Sequence, residues 1–246
     1  MIGQTNDKEL CRAKIDFFNS SFQYKYPYNF EFLGRPIIQY PQDMVAIQEL
    51  IWEIQPDLII ETGIAHGGSL IMSASMLALL DMCDSIKLGA TMDPSESKRM
   101  VLGIDIDIRV HNRQFIDAHP MASRIKMIQG SSIDSKIIEQ VHCLAKDYKK
   151  IMVCLDSNHT HTHVLAELNA YAPLTSLDSY CIVFDTVIED MPSNSFSDRP
   201  WDIGNNPKTA VFEYLKSHPQ FKVDSDIQDK LLITVAPDGY LRRVTE

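Results

Sequence analysis

The sequence predicts an α/β fold, a doubly wound and mainly parallel sheet with a C-terminal antiparallel closure and an aromatic N-terminal arm. Two observations predict it. From residue 41 onward, short apolar runs alternate with stretches of helical periodicity. Several of those runs end in glycine, serine or an acid, as strands do when they open onto a ligand-binding edge. The 246 residues suffice for one large core, and 45% hydrophobic with 23% charged residues is ordinary for a globular chain.

The first 40 residues are rich in aromatics, from Phe17 to Tyr40, and Pro27, Gly34 and Pro36 interrupt any long helix. An N-terminal helix followed by an irregular arm is expected. It would serve as a substrate lid, as an oligomer contact or simply as packing on the main domain at 41–246. Asp43 to Ile54 has helical spacing, and Leu58 to Glu61 reads as a buried strand. Gly67-Gly68-Ser69 opens a helix from Leu70 to Leu80, and Asp81 to Lys98 reads as a surface loop. Strands follow at Met100 to Ile106, Arg124 to Gln129, Lys150 to Leu155 and Ser179 to Phe184. Helices separate them at Val110 to Ala118, Ser135 to Ala145 and His163 to Ala172. Residues 189–206 read as a long loop and Thr209 to His218 as a helix. Phe221 to Val223 and Leu231 to Pro237 are expected to close the sheet as an antiparallel pair, with Asp238-Gly239 as a turn.

Composition excludes some functions. A net charge of −10 disfavours non-specific nucleic-acid binding, which depends on Lys and Arg neutralising phosphates. The five cysteines include no CxxC pair, and Cys154 and Cys181 lie in apolar runs, as reduced thiols of a cytoplasmic protein would. No signal-peptide core is evident, and no stretch is read as approaching the roughly 20 apolar residues of a membrane span, so no membrane partner is expected.

The chemistry is expected at the strand ends. Glu61-Thr62-Gly63-Ile64-Ala65-His66-Gly67-Gly68 is neither a dinucleotide fingerprint nor a P-loop. Alone it is either a nucleotide-like binding turn or a structural one. The next strand ends in Asp105, which could accept hydrogen bonds from ribose hydroxyls; Asp107 is the second choice. Ser131 and Ser132 could border an adenine, or Ser132 or Asp134 could cap the following helix. Asp156 and Asp185 close neighbouring strands, and two such acids suit a hard cation such as Mg²⁺. His159, His161 and His163 raise a rival, a Zn²⁺ or Fe²⁺ site of a hydrolase or oxygenase, though a helix starting near His161 would scatter them.

Together, the run from Glu61 to Ser69, Gly103-Ile104-Asp105-Ile106-Asp107-Ile108-Arg109, Leu155-Asp156-Ser157-Asn158-His159-Thr160 and Val183-Phe184-Asp185-Thr186 with Glu189-Asp190 resemble the cephalosporin hydroxylase or rhamnosyl O-methyltransferase family. The resemblance implies a Rossmann-like O-methyltransferase using S-adenosylmethionine and a divalent cation. It implies that the Glu61–Ser69 segment, with Gly63, His66, Gly67 and Ser69, surrounds the methionine part of the cofactor. Asp105 would take the ribose, and Ser131 and Ser132 the adenine. Asp156 and Asp185 match the cation-holding acids. Some members have Glu-Asp-Thr where this chain has Phe184-Asp185-Thr186, which leaves the third ligand to Glu189, Asp190 or water.

On this reading His159, ahead of His161, takes the proton of the acceptor hydroxyl. A glycosyl hydroxyl, of a polysaccharide or a glycosylated natural product, is the expected acceptor. The aromatic arm and the loop from Met191 to Asn206, with Trp201, would wall its site. The arm also offers a surface for a homo-oligomer. The Phe184 departure keeps open a non-catalytic subunit that retains the fold.

Overall fold

A computed structural model describes residues 7–94, 96–193 and 195–245. Helix α1 (Lys8–Gln23) starts at Asp7, whose carboxylate accepts from the amides of Glu9 and Leu10. The arm that follows is more regular than expected. After a 3₁₀ turn at Tyr26–Asn29, β1 (Phe30–Phe32) and β2 (Arg35–Ile37) form a separate antiparallel hairpin. Its two-residue turn places Leu33 and Gly34 at φ of 44° and 80°, the left-handed turn geometry that matches strand twist. Three-residue strands are too short to show a period, so the pattern of residues could not reveal them. Within the arm Phe18 stacks on Tyr40 at 5.1 Å and the Tyr40 hydroxyl is hydrogen-bonded to Ser21 Oγ at 2.9 Å, while Arg35 pins the arm to the main body by donating to the His66 carbonyl at 3.0 Å.

The main body runs α2 (Pro41–Ile54), β3 (Leu58–Thr62), α3 (Gly68–Leu88), β4 (Met100–Asp105), α4 (Val110–Asp117), β5 (Ile125–Gln129), α5 (Ser135–Ala145), β6 (Ile151–Leu155), α6 (His161–Tyr171), β7 (Tyr180–Val183), α7 (Pro207–Leu215), β8 (Phe221–Val223), α8 (Ser225–Leu231) and β9 (Tyr240–Arg243). The seven-stranded sheet has the order β5-β4-β3-β6-β7-β9-β8, with β3 to β7 parallel and β9 antiparallel to both neighbours. Alternate strand residues enter opposite cores. Ile59, Met152, Cys154 and Ile182 pack with α2 and α3, whereas Leu58, Ile60, Val153 and Val183 pack with α5, α6 and α7. This is the two-faced burial of a parallel sheet.

Two expectations are corrected. The segment read as a loop from Asp81 begins with two further turns of α3. Its acids explain why: Asp81 pairs with Arg99 and Arg124, and Asp84 with Arg99 at 2.8 Å, tying the helix end to the starts of β4 and β5. At its full length α3 is long and apolar enough to cross a membrane, contrary to the sequence reading, but residues Gly68 to Leu80 supply much of the core between α2 and the sheet. At the C-terminus, β8 pairs with β9 and not with Leu231 to Pro237. That segment is irregular because buried Asp43 holds it: its carboxylate accepts from the Thr234 hydroxyl, the Val235 amide at 3.0 Å and the Tyr240 hydroxyl at 2.9 Å. Asp238-Gly239 is the turn into β9.

The strand order reverses between β3 and β6, so their carboxyl ends form a switch-point crevice.

Candidate functional site

The loop after β3 enters this crevice. Gly63 has φ of 89°, and a Cβ there would lie 2.2 Å from the Asp156 carbonyl oxygen, so only glycine lets the two strand ends meet. Ala65 is also left-handed, at φ of 46°, a strained state for a residue with a side chain. Bonds on both sides hold it. Asp105 Oδ2 accepts from the amides of Ile64 at 2.8 Å and Ala65 at 3.2 Å. Arg35, from the arm, donates Nε and Nη2 to the His66 carbonyl at 3.0 and 2.5 Å, and Nη2 to Asn112 Oδ1 at 3.0 Å. Asn112 Nδ2 donates to the Ala65 carbonyl at 2.8 Å. Arg35 and Asn112 escaped the sequence reading. A lone arginine in an aromatic arm and an asparagine on a helix face carry no local signal of a shared carbonyl clamp.

At the ends of β6 and β7, Asp156, His159 and Asp185 each offer one donor atom within 4.8 Å of the others. His159 Nε2 lies 3.2 Å from Asp185 Oδ2. Asp185 has φ of 55°, a conformation aspartate tolerates, at the start of a 3₁₀ turn over Thr186–Asp190. The Asp156 carboxyl is pushed well above the usual range, first by burial and then by the charges of Asp185 and Glu61. A buried carboxyl crowded by neighbouring negative charge, grouped with a second carboxylate and an imidazole, fits a divalent cation. Among the described residues this is the group of His, Cys, Asp and Glu close enough to hold one.

Two clefts meet at this group. One, of about 230 Å³, runs over Gly63 to His66 and Ser69. The other, of about 850 Å³, is walled by Phe22, Lys25, Tyr28, Phe196 and Trp201. His159 and Asp185 line both. The Trp201 ring stands edge-on to His159 at 4.6 Å. Arm and loop thus wall the larger cleft together.

Other expected residues lie elsewhere. His161 and His163 leave the Asp156–Asp185 group, so the triple-histidine site is overturned. His161 is hydrogen-bonded to Thr209 Oγ1 at 2.8 Å and pairs with Glu213 at 3.2 Å, because α6 begins there and turns it toward α7. His163 joins Ser132, Ser157 and Glu167 in a polar network behind the site. Glu189 is turned away: its carboxylate takes the Gly204 amide at 2.8 Å and the Asn206 side chain. Asp190 pairs with Lys208 at 2.5 Å. Ser132 is buried with its hydroxyl on His163 at 3.0 Å, while Asp134 caps α5 and Ser131 remains half-buried at the strand edge. Phe184 is buried beside Glu61 and Asp156.

Residues 24–244 match the family model described as rhamnosyl O-methyltransferase/CmcI. The rhamnosyl O-methyltransferase of Mycobacterium tuberculosis (strain ATCC 25618 / H37Rv) is 31% identical over 206 residues, covering 82% of this chain and 73% of that protein. The rhamnosyl O-methyltransferase of Mycobacterium leprae (strain TN) is 28% identical over 215 residues, covering 86% and 82%. A solved structure of CmcI with Mg and SAM is 19% identical, with a TM-score of 0.53, covering 89% of this chain and 78% of that one. At that identity the likeness establishes the fold. By sequence and fold together, the chain belongs to the rhamnosyl O-methyltransferase/CmcI family of enzymes.

Proposed function

We propose that this enzyme moves a methyl group from S-adenosylmethionine to a hydroxyl of a sugar, free or in a glycosylated natural product, with a divalent cation such as Mg²⁺. The observation that carries the reading is the position of Asp156, His159 and Asp185 where the two clefts meet. The relatives named above act on rhamnosyl groups, and a solved relative carries Mg and SAM.

The cation would be held by Asp156, His159 and Asp185, with His159 taking the place that Phe184 and the turned-away Glu189 leave open. A bound cation supplies charge that lowers the pKa of a hydroxyl and orients it. The protein's own part is positional. The loop Gly63 to Ser69 presents a strained, clamped surface to the methionine part of the cofactor. Asp105 serves the ribose, within a limit: a carboxylate has about four lone-pair sites. Three already take the amides of Ile64, Ala65 and Asp107, leaving room for one hydroxyl. Ser131 fits the adenine edge better than Ser132. The aromatic walls of the larger cleft suit the face of a sugar ring.

Mass spectrometry of a rhamnosyl glycoside incubated with enzyme, S-adenosylmethionine and Mg²⁺ tests the reading. Gain of one methyl on the sugar is expected. Cofactor binding without methylation of any glycoside in a broad panel would favour the non-catalytic subunit and sink the proposal.

A further inference from the structure

Gln39 joins the two halves of the site. It follows β2, is only 8% exposed, and lines both the cofactor cleft and a small cavity beneath it shared with Glu61, Ser69 and Asp156. Its Nε2 donates to Asp156 Oδ2 at 3.4 Å. With Asp156 ionised, as a cation ligand is, that contact fixes the amide, since the reverse orientation would set two oxygens against each other. Its Oε1 then stays buried with no hydrogen-bond partner among the described residues. Buried polar atoms are nearly always paired, so an orphan acceptor on a residue that lines the cleft points to a ligand donor.

The surroundings define that donor. Glu61 is 5% exposed and has Ser69 as its hydrogen-bond partner. Asp156 lies beside it at the same end. No lysine or arginine is among the described residues that line either cavity. Beyond Asp156, which the divalent cation would engage, the acceptors at this end are Gln39 Oε1 and the Glu61 carboxyl, and they call for a positively charged group rich in N–H. The methionine part of S-adenosylmethionine carries an ammonium with three N–H donors and a carboxylate with none. Only the first is compatible with this end of the cleft.

We infer that Gln39 is a cofactor-positioning residue whose Oε1 accepts a hydrogen bond from the α-ammonium of S-adenosylmethionine. This rests on the proposed cofactor reading. Because the same amide steadies Asp156, it sets the cofactor in register with the cation-holding acid.

Calorimetry with two probes tests the assignment: S-adenosylhomocysteine, and its analogue with hydrogen in place of the α-amino group. A lost hydrogen bond to a charged group corresponds to about tenfold or more in affinity. Wild-type protein should prefer S-adenosylhomocysteine by at least about that factor. Gln39→Leu should lose about tenfold for S-adenosylhomocysteine and less than about twofold for the analogue. Gln39→Met, which keeps the side-chain length, should repeat that selective loss. Equal losses for both probes, or no loss in either variant, overturn the assignment while leaving the cofactor reading intact. Wild-type protein that binds neither probe overturns the cofactor reading and this assignment with it.

Discussion

Replacing Arg35 with methionine tests whether the N-terminal hairpin holds the glycine-rich loop. Methionine keeps most of the apolar stem, so the change removes the guanidinium. Two of its N–H groups converge on the His66 carbonyl and count as one bifurcated, charged interaction of about 1.5–3 kcal/mol. The guanidinium also lies 4.9 Å from the ring of Phe115, which is largely exposed, so that contact adds only about 0.5–1 kcal/mol. Against these losses, freeing Ala65 from its left-handed conformation regains roughly 1–2 kcal/mol. Arg35 Nη2 also donates to buried Asn112 Oδ1, a further charged bond of about 1.5–3 kcal/mol, so the loop should be looser by about 1.5–6 kcal/mol, or at least about tenfold. Because the loss is local, it should show as faster amide exchange from Gly63 to Gly68 and as weaker S-adenosylhomocysteine binding, with a smaller change in global melting. Arg35→Lys should fall between, since a point charge cannot make the fork. A folded Arg35→Met protein that binds S-adenosylhomocysteine as wild type does refutes the clamp.

Further outcomes follow from the same geometry. His159→Gln should weaken Mg²⁺ binding by calorimetry about tenfold or more, as loss of a ligand does; unchanged Mg²⁺ affinity with a reduced kcat would make His159 a base only. Burial lifts the Glu61 carboxyl to about 7 from 4.5. Its folded value is the higher one, so its contribution is full below pH 4.5 and is lost as pH rises through 7, a span of about 3 kcal/mol. Urea unfolding should show ligand-free protein losing stability over that window, and Glu61→Gln should flatten the dependence; an equally steep Glu61→Gln curve would exclude this cause. Gly63→Ala should destabilise by more than about 3 kcal/mol or prevent folding, because strain and a clash with Asp156 coincide. Wild-type melting in that variant would contradict the close approach of β3 and β6.

The parts of the fold with a long period were legible. The helices from α2 to α7 and the strands from β3 to β7 follow the apolar pattern, and the acids at or just after the ends of β4, β6 and β7 fall along one sheet edge, as their places in the sequence implied. The β1–β2 hairpin was not legible, because three-residue strands have no measurable period. Neither was the last part of α3, whose polar look comes from acids serving Arg99 and Arg124 across the fold. Glu189 was placed by proximity in sequence, yet the 3₁₀ turn after Asp185 carries it toward Gly204 and Asn206. Arg35, Gln39 and Asn112 act on atoms about 30 to 120 positions away, and long-range pairing of that kind leaves no local trace.

The central claim is that a cation held by Asp156, His159 and Asp185 stands beside the reacting methyl group. Nuclear magnetic resonance of S-adenosylmethionine labelled with ¹³C at that methyl, bound to the protein with Mn²⁺ in place of Mg²⁺, tests it directly. The methyl resonance should broaden strongly in wild-type protein, and Asp185→Asn should abolish the broadening while the cofactor stays bound. A methyl signal that stays sharp at saturating Mn²⁺ would contradict the claim.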